Sequence, residues 1–372
     1  MTSPRPLRAA LLGTGAWAKV LATAARGSRL DIGCCYSPNA THRFAFAQAM
    51  GIAAVDDLRR VWEERAIEAV VIAAPNALHR TLAEQAAAHG KHVFVEKPIA
   101  HTLEDAIAMV ALEREHGIHL VVGHCARMLA GNVAIAHAVR DGDLGRVAHI
   151  EANFSNDRGL KLAPGDWRWY EASAPGGPLS QIGIHQLDTL RALGGDLVAV
   201  SACSARLSPV GAEVADQWTV NVRFADGKLG SVATSWTSPG HYSVRVTGER
   251  ASWFHEIDQS LWSQPSRLHE NAVLERQAHG DGPGKRTRIA VPQGDMFRDE
   301  LEHFADAVTH DAPCALTADN GLRALAAVYA AIASAASGGR EVLLDDVVAA
   351  ARVRPADANS ARQPAGDLAA VK

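Results

Sequence analysis

The chain has 372 residues, 48% of them hydrophobic and 21% charged, which is material for two compact domains and excludes disorder over most of its length. A formal net charge of −4 offers no basic field to a nucleic-acid backbone or an anionic lipid surface, so neither nucleic acid nor membrane is an expected partner. The five cysteines form no CxxC pair, and the first apolar run is short and broken by glycine, so a cytoplasmic protein with reduced thiols is expected.

In chain order, LRAALLG from Leu7 reads as a short apolar strand. A glycine turn and an alanine-rich helix over 18–26 follow it, then a second strand, LDIGCCY. After a turn and helix in SPNATHRFAFAQAMG come a short strand at AAV, the helix DDLRRVWEER, the strand EAVVIAAP, the helix ALHRTLAEQAAAHG and the strand HVFVEKP. A helix over 103–115 and the strand HLVVGH complete the series. Continuous apolar strands alternating with helices predict a doubly wound parallel sheet of the Rossmann kind over residues 1–125.

The rhythm then changes. A helix over 132–139 leads into the strand RVAHIEANFS, and later runs alternate: AVSACSARLS, DQWTVNVRFADGKLGSVATSWT with DG as a hairpin turn, and YSVRVTGERASWFHE. These predict a second α+β domain over 126–352 with a largely antiparallel open sheet. Residues 263–290 read as a loop or irregular insertion. Helices over 295–308 and 318–336, expected to pack back on the first domain, precede REVLLDDVVAAARV, and 353–372 read as a disordered tail.

Three positions in GTGAWA carry the first functional signal. Gly13 permits a tight turn, Gly15 lets a pyrophosphate approach the backbone, and Ala18 lets helix and strand pack closely; Thr14, Ala16 and Trp17 fill out a dinucleotide-binding turn. The acid expected at the end of the second strand to hold a ribose 2′-hydroxyl is absent. Ser37 stands there with Arg43 a little beyond, so NAD and NADP both stay open as cofactor, and Arg43 reads equally as a phosphate contact or a residue on the solvent face of its helix. Lys97 ends the fifth strand, at the carboxyl edge where open α/β sheets bind ligands. A partly desolvated lysine near a cationic nicotinamide ring is suited to proton exchange near neutrality.

GTGAWA, APNALH (74–79), EKP (96–98), DWR (166–168) and GGPLSQIGIHQLD (176–188) occur in the order found in one family. The chain resembles glucose-fructose oxidoreductase / inositol dehydrogenase (Gfo/Idh/MocA) enzymes over about residues 7–350. The resemblance implies that Lys97 is a catalytic or substrate-orienting group and that His185 is the acid/base. It also implies that Asn76 and His79, with Pro75 and Glu96, line the cofactor pocket. Many members carry an aspartate four residues before that histidine, where this chain has Gln181, an amide that orients a hydroxyl and cannot take its proton.

His185 is expected to lie off the buried stripe of Ile184, Leu187, Leu190 and Leu193, with Asp188 one turn on as an imidazole partner or a structural group. Arg127, Asn156–Arg158, Trp167 and Arg168 are candidate substrate contacts. No HxxxH or HxH pair suggests a metal. The expected activity is hydride transfer between NAD or NADP and a secondary alcohol or ketone of a sugar, cyclitol or related polyol. A dihydrodiol or carboxylated cyclic substrate is the alternative, and a non-catalytic nucleotide-sensing regulator of the same fold is the alternative from another class. Family members often associate through the second sheet, which implies a homodimer or homotetramer.

Overall fold

The computed structural model describes residues 5–282 and 284–353, so the predicted tail, except for Val353, lies outside the described residues. The chain divides into two compact units. One holds the chain up to His124, Phe297–Leu322 and the stretch from Ala350; the other holds Cys125–Met296 and Arg323–Ala349.

The first unit is built on β1 (Leu7–Leu12), α1 (Ala16–Ala24), β2 (Leu30–Tyr36), α2 (Ala40–Met50), β3 (Ala53–Val55), α3 (Leu58–Glu63), β4 (Ala69–Ile72), α4 (His79–Ala88), β5 (His92–Glu96), α5 (Leu103–His116) and β6 (Leu120–Gly123). Its six strands lie in the order β3-β2-β1-β4-β5-β6, all parallel. Every residue of β4 and β6 is buried, as a parallel sheet covered on both faces requires. Helix ends follow local chemistry. The Asn39 side chain accepts from the His42 N–H at 3.0 Å, the Thr102 side chain accepts from the Asp105 N–H at 3.1 Å, and Gly51 and Gly117 close α2 and α5 in the left-handed conformation.

In the second unit, α6 (Ala130–Arg140), β7 (Val147–Ser155), α7 (Ile184–Gly194), β8 (Leu197–Ala205), β9 (Gln217–Phe224), β10 (Leu229–Ser235), β11 (His241–Gly248), β12 (Ala251–Ile257), β13 (Ala272–Ala278) and β14 (Thr287–Ile289) follow in sequence. After them come α8 (Met296–His310), which belongs almost wholly to the first unit, α9 (Ala318–Ala336), β15 (Val342–Leu343) and α10 (Leu344–Val353). The nine strands run β14-β13-β12-β11-β7-β10-β9-β8-β15, antiparallel except where β10 pairs with β7. β9 alternates buried and outward residues, the signature of a sheet with one covered face.

Two expectations are corrected. Residues 263–290 carry a 3₁₀ turn at Pro265–Glu270 and the strands β13 and β14; ladder bonds to β12 override a charged sequence that shows no clear alternation. Helix α1 begins at Ala16, two residues early, because Gly15 serves directly as its N-cap. Within the first unit Arg29 holds α8: its Nη2 donates to Asp306 at 2.7 Å, its backbone N–H donates to Glu302 at 3.0 Å, and Phe304 packs on Phe94. Among the described residues no helix is long and apolar enough to cross a membrane, and no three His, Cys, Asp or Glu side chains gather as a metal site would need.

Candidate active site

The glycine turn joins β1 to α1 in the first unit. Gly13 has φ +114°, and a Cβ there would lie 2.3 Å from the Ala73 carbonyl oxygen, so only glycine fits. Gly15 differs: its φ is −80°, and a Cβ would meet nothing within 4 Å. The exposed backbone of Gly15, Ala16 and Trp17, beside half-buried Thr14, thus opens the N-terminus of α1, whose first turn carries no acid, while Ala18 is fully buried behind it. N–H donors and positive dipole at an open helix start fit the pyrophosphate of a dinucleotide. Trp17 leans on Phe297, ring centroids 5.5 Å apart.

At the end of β2 the Arg43 guanidinium donates through Nη1 to the Ser37 carbonyl and leaves Nε buried without a hydrogen-bond partner. Arg43 is 6% exposed, so the solvent-face alternative falls. Its charge is held against the strand end by that carbonyl and by the Phe44 ring, 5.3 Å away.

Pro75 is exposed and Asn76 opens a 3₁₀ turn that runs into α4. His79, expected to line the cofactor pocket, is instead fully buried with both ring nitrogens on backbone carbonyl oxygens. β5 ends at Glu96, one residue short of half-buried Lys97. The Glu96 carboxylate accepts the Lys97 N–H at 3.2 Å, and burial pushes its pKa up to about 7 against the opposing charge of Lys97. A carboxyl whose pKa rises on folding binds extra protons in the fold. Its favourable contribution is therefore complete below about pH 4.5 and is lost as pH climbs through about 7. Glu96→Gln is expected to flatten that slope and to raise stability at pH 8 by about 1–3 kcal/mol. Urea titrations at pH 5 and pH 8 measure it, and an unchanged slope in the variant would clear Glu96 of the effect.

In the second unit Gly177, at φ +50° with a Cβ position 2.5 Å from the Ala215 carbonyl oxygen, turns the chain into a π-helical turn at Leu179–Gly183 that continues as α7. Such turns recur at functional sites. The four-residue spacing keeps half-buried Gln181 and His185 on one side of the helix. The expectation that His185 lies off a buried stripe is corrected: every residue from Ile184 to Leu190 is buried, because α7 packs on β7 and β10 and on the 3₁₀ turn Cys125–Met128. His185 is 5% exposed, its ring 6.2 Å from Phe154. Asp188 accepts from Arg127 through both oxygens, Nε to Oδ2 at 2.5 Å and Nη2 to Oδ1 at 2.7 Å. With side chains 9% and 1% exposed, this fork is buried and gives Arg127 and Asp188 a structural bond, one of the two roles expected for Asp188.

Trp167 and Arg168 stack, the guanidinium carbon 4.1 Å from the ring, and Trp167 leans on the buried cluster of Leu162, Ala174, Val214 and Trp236. Burial lowers the Arg168 pKa to about 10, with the charge of Arg158 adding to it and Asp166 opposing; the group stays protonated at neutrality. The layer beneath His185 escaped the sequence reading. Phe154 meets Tyr242 edge-on at 5.5 Å; Asn132 donates to the Tyr242 hydroxyl at 2.6 Å, and its Oδ1 lies 2.8 Å from His255 Nδ1. Only the alternation of HIEANFS, which turns Phe154 inward, hinted at it.

Comparison with known proteins agrees with the fold. A family model described as "Oxidoreductase family, NAD-binding Rossmann fold" matches residues 7–124, and one described as "GFO/IDH/MocA C-terminal domain" matches 133–254. A crystal structure from Desulfitobacterium hafniense DCB-2, assigned as an NADPH-dependent oxidoreductase, superposes with TM-score 0.89 and 32% identity over 93% of this chain and 100% of that one. The 1,5-anhydro-D-fructose reductase of Ensifer adhaerens is 28% identical over 81% of this chain and 88% of its own length. The inositol 2-dehydrogenase of Rhizobium meliloti is 28% identical over 89% of this chain and 97% of its own length.

Proposed function

Because the chain belongs to the GFO/IDH/MocA family of oxidoreductases, with an NAD-binding Rossmann domain, we propose that it interconverts a secondary alcohol and a ketone on a sugar, cyclitol or related polyol. The observation that carries this reading is Lys97, half-buried at the carboxyl edge of β5 in the sheet whose first βα turn is shaped for a dinucleotide. Bound NAD(P) supplies the hydride acceptor or donor. On this reading His185 is an acid/base for the substrate hydroxyl, and Lys97 is a proton-exchanging group at the carboxyl edge of the first sheet. Gln181 orients a hydroxyl without taking its proton. Relatives named for 1,5-anhydrofructose and inositol support a cyclic polyhydroxylated substrate. A panel of sugars, inositols and dihydrodiols with both cofactors tests the assignment; turnover of dihydrodiols alone would sink it.

A carboxylated cyclic compound is a second reading, favoured by Arg168, a half-buried cation stacked on Trp167 and acted on by the charge of Arg158. Sugar acids in the same panel decide it: they must be preferred over their neutral parents by wild-type protein and lose that preference in Arg168→Gln.

The cofactor is NADP, on this reading. No carboxylate ends β2 to repel a 2′-phosphate, and the buried Arg43 cation lies at that strand end; the structure from D. hafniense was assigned to NADPH. Wild-type kcat/KM is expected to favour NADP over NAD, and Arg43→Met to erode that ratio on the order of 10-fold, the worth of one charge-assisted hydrogen bond. A preference for NAD, or a ratio that Arg43→Met leaves alone, overturns the assignment.

A further inference from the structure

His79 is a buried histidine that the proposed reaction does not use. Its Nε2 lies 3.0 Å from the Ala74 carbonyl oxygen, and its Nδ1 lies 3.0 Å from that of Pro98 and 3.3 Å from that of Ile99. Ala74 follows β4 and begins the segment that carries Pro75 and Asn76. Pro98 and Ile99 follow Lys97 directly. One fully buried ring therefore ties the segments leaving the carboxyl ends of two adjacent strands. Carbonyl oxygens only accept, so the ring satisfies both sides at once only with hydrogen on both nitrogens. The charged form is disfavoured on balance: burial lowers the His79 pKa, the three carbonyls oppose this and the charge of Lys97 adds to it, so the neutral ring donates to one side and packs against the carbonyl of the other. A group set in such opposition has a position fixed by its partners, and those partners adjoin the residues that the reaction needs.

We propose that His79 is a positioning residue: it clamps the Lys97–Pro98–Ile99 segment to the Ala74–Asn76 segment and so fixes where the Lys97 ammonium stands. This rests on the reading of Lys97 as catalytic. The clamp itself is a property of the fold, and its test has an arm without turnover. Asn imitates Nδ1 and keeps a donor toward Pro98 and Ile99; Gln imitates Nε2 and keeps only the side toward Ala74.

The experiment compares His79→Ala, His79→Asn and His79→Gln with wild type by amide hydrogen exchange, cofactor titration and steady-state kinetics. In His79→Ala, exchange is expected to quicken about 10-fold or more in peptides covering 97–101 while strands β1 and β2 stay protected. The kcat is expected to fall by roughly 10- to 100-fold through misplacement of Lys97, with cofactor Kd within about 3-fold of wild type. His79→Asn recovers most of both losses and His79→Gln does not. Unchanged exchange at 97–101 in His79→Ala overturns the clamp. So does equal loss of kcat and cofactor affinity in all three variants, which returns His79 to the cofactor pocket. Wild-type protein that turns over no polyol sinks the proposed function and leaves the exchange result to judge the clamp.

Discussion

Lys97→Met is expected to lower kcat by on the order of 10²- to 10⁴-fold, the range for removing a group that moves a proton in the transition state. The side chain is half-buried just past β5, where a neutral thioether of similar length keeps the packing and removes only the charge and the exchangeable protons. Cofactor affinity, which the glycine turn and the start of α1 are proposed to supply, is expected to stay within a few-fold, which separates loss of chemistry from loss of binding. His185→Ala is expected to lower kcat on its own account, and the double variant is measured beside the two single ones. Single-turnover kinetics with NADP and the best polyol of the panel, beside fluorescence titration of the cofactor, measure all three. Full turnover by Lys97→Met would refute the assignment. If every variant binds cofactor and no substrate ever shows lysine-dependent turnover, a nucleotide-sensing regulator is the better reading.

The first unit was legible because its signals are local. β2 falls at Leu30–Tyr36 as its apolar run implies, and the glycine turn stands between strand and helix as its spacing requires. The second sheet was legible wherever one face is covered, as in β9 and the DG hairpin to β10, and illegible at β13, whose sequence AVLERQA puts charge where pairing alone makes a strand. At the site, the sequence named candidate residues and concealed what holds them. His79 reads as a pocket residue until the carbonyls 19 and 20 positions away close over it, and Asp188 pairs with an arginine 61 positions back. A leucine stripe in α7 suggested one buried face, yet every residue from Ile184 to Leu190 is buried, which no pattern within the helix could reveal.

That covering makes the Arg127–Asp188 fork the place where a single change should cost most stability. Both side chains are buried and the geometry is bidentate, so removing either partner takes two charge-assisted hydrogen bonds out of the interior. Asp188→Asn and Arg127→Met are each expected to lower unfolding free energy by about 3–5 kcal/mol, measured by urea titration at neutral pH. Arg127→Met combined with Asp188→Leu should recover much of that loss, since apolar residues of similar volume often replace a buried pair at little cost. Activity should part company with stability at this point. The fork fixes α7 three residues beyond His185 against the turn at Cys125–Met128, and apolar packing lacks its directionality. The double variant is therefore expected to fold nearly as well as wild type and to keep a kcat roughly 10-fold or more below it, as a small misplacement of an acid/base group would give. Recovery of kcat together with stability would reduce the fork to packing; recovery of stability alone makes it the device that aims the histidine.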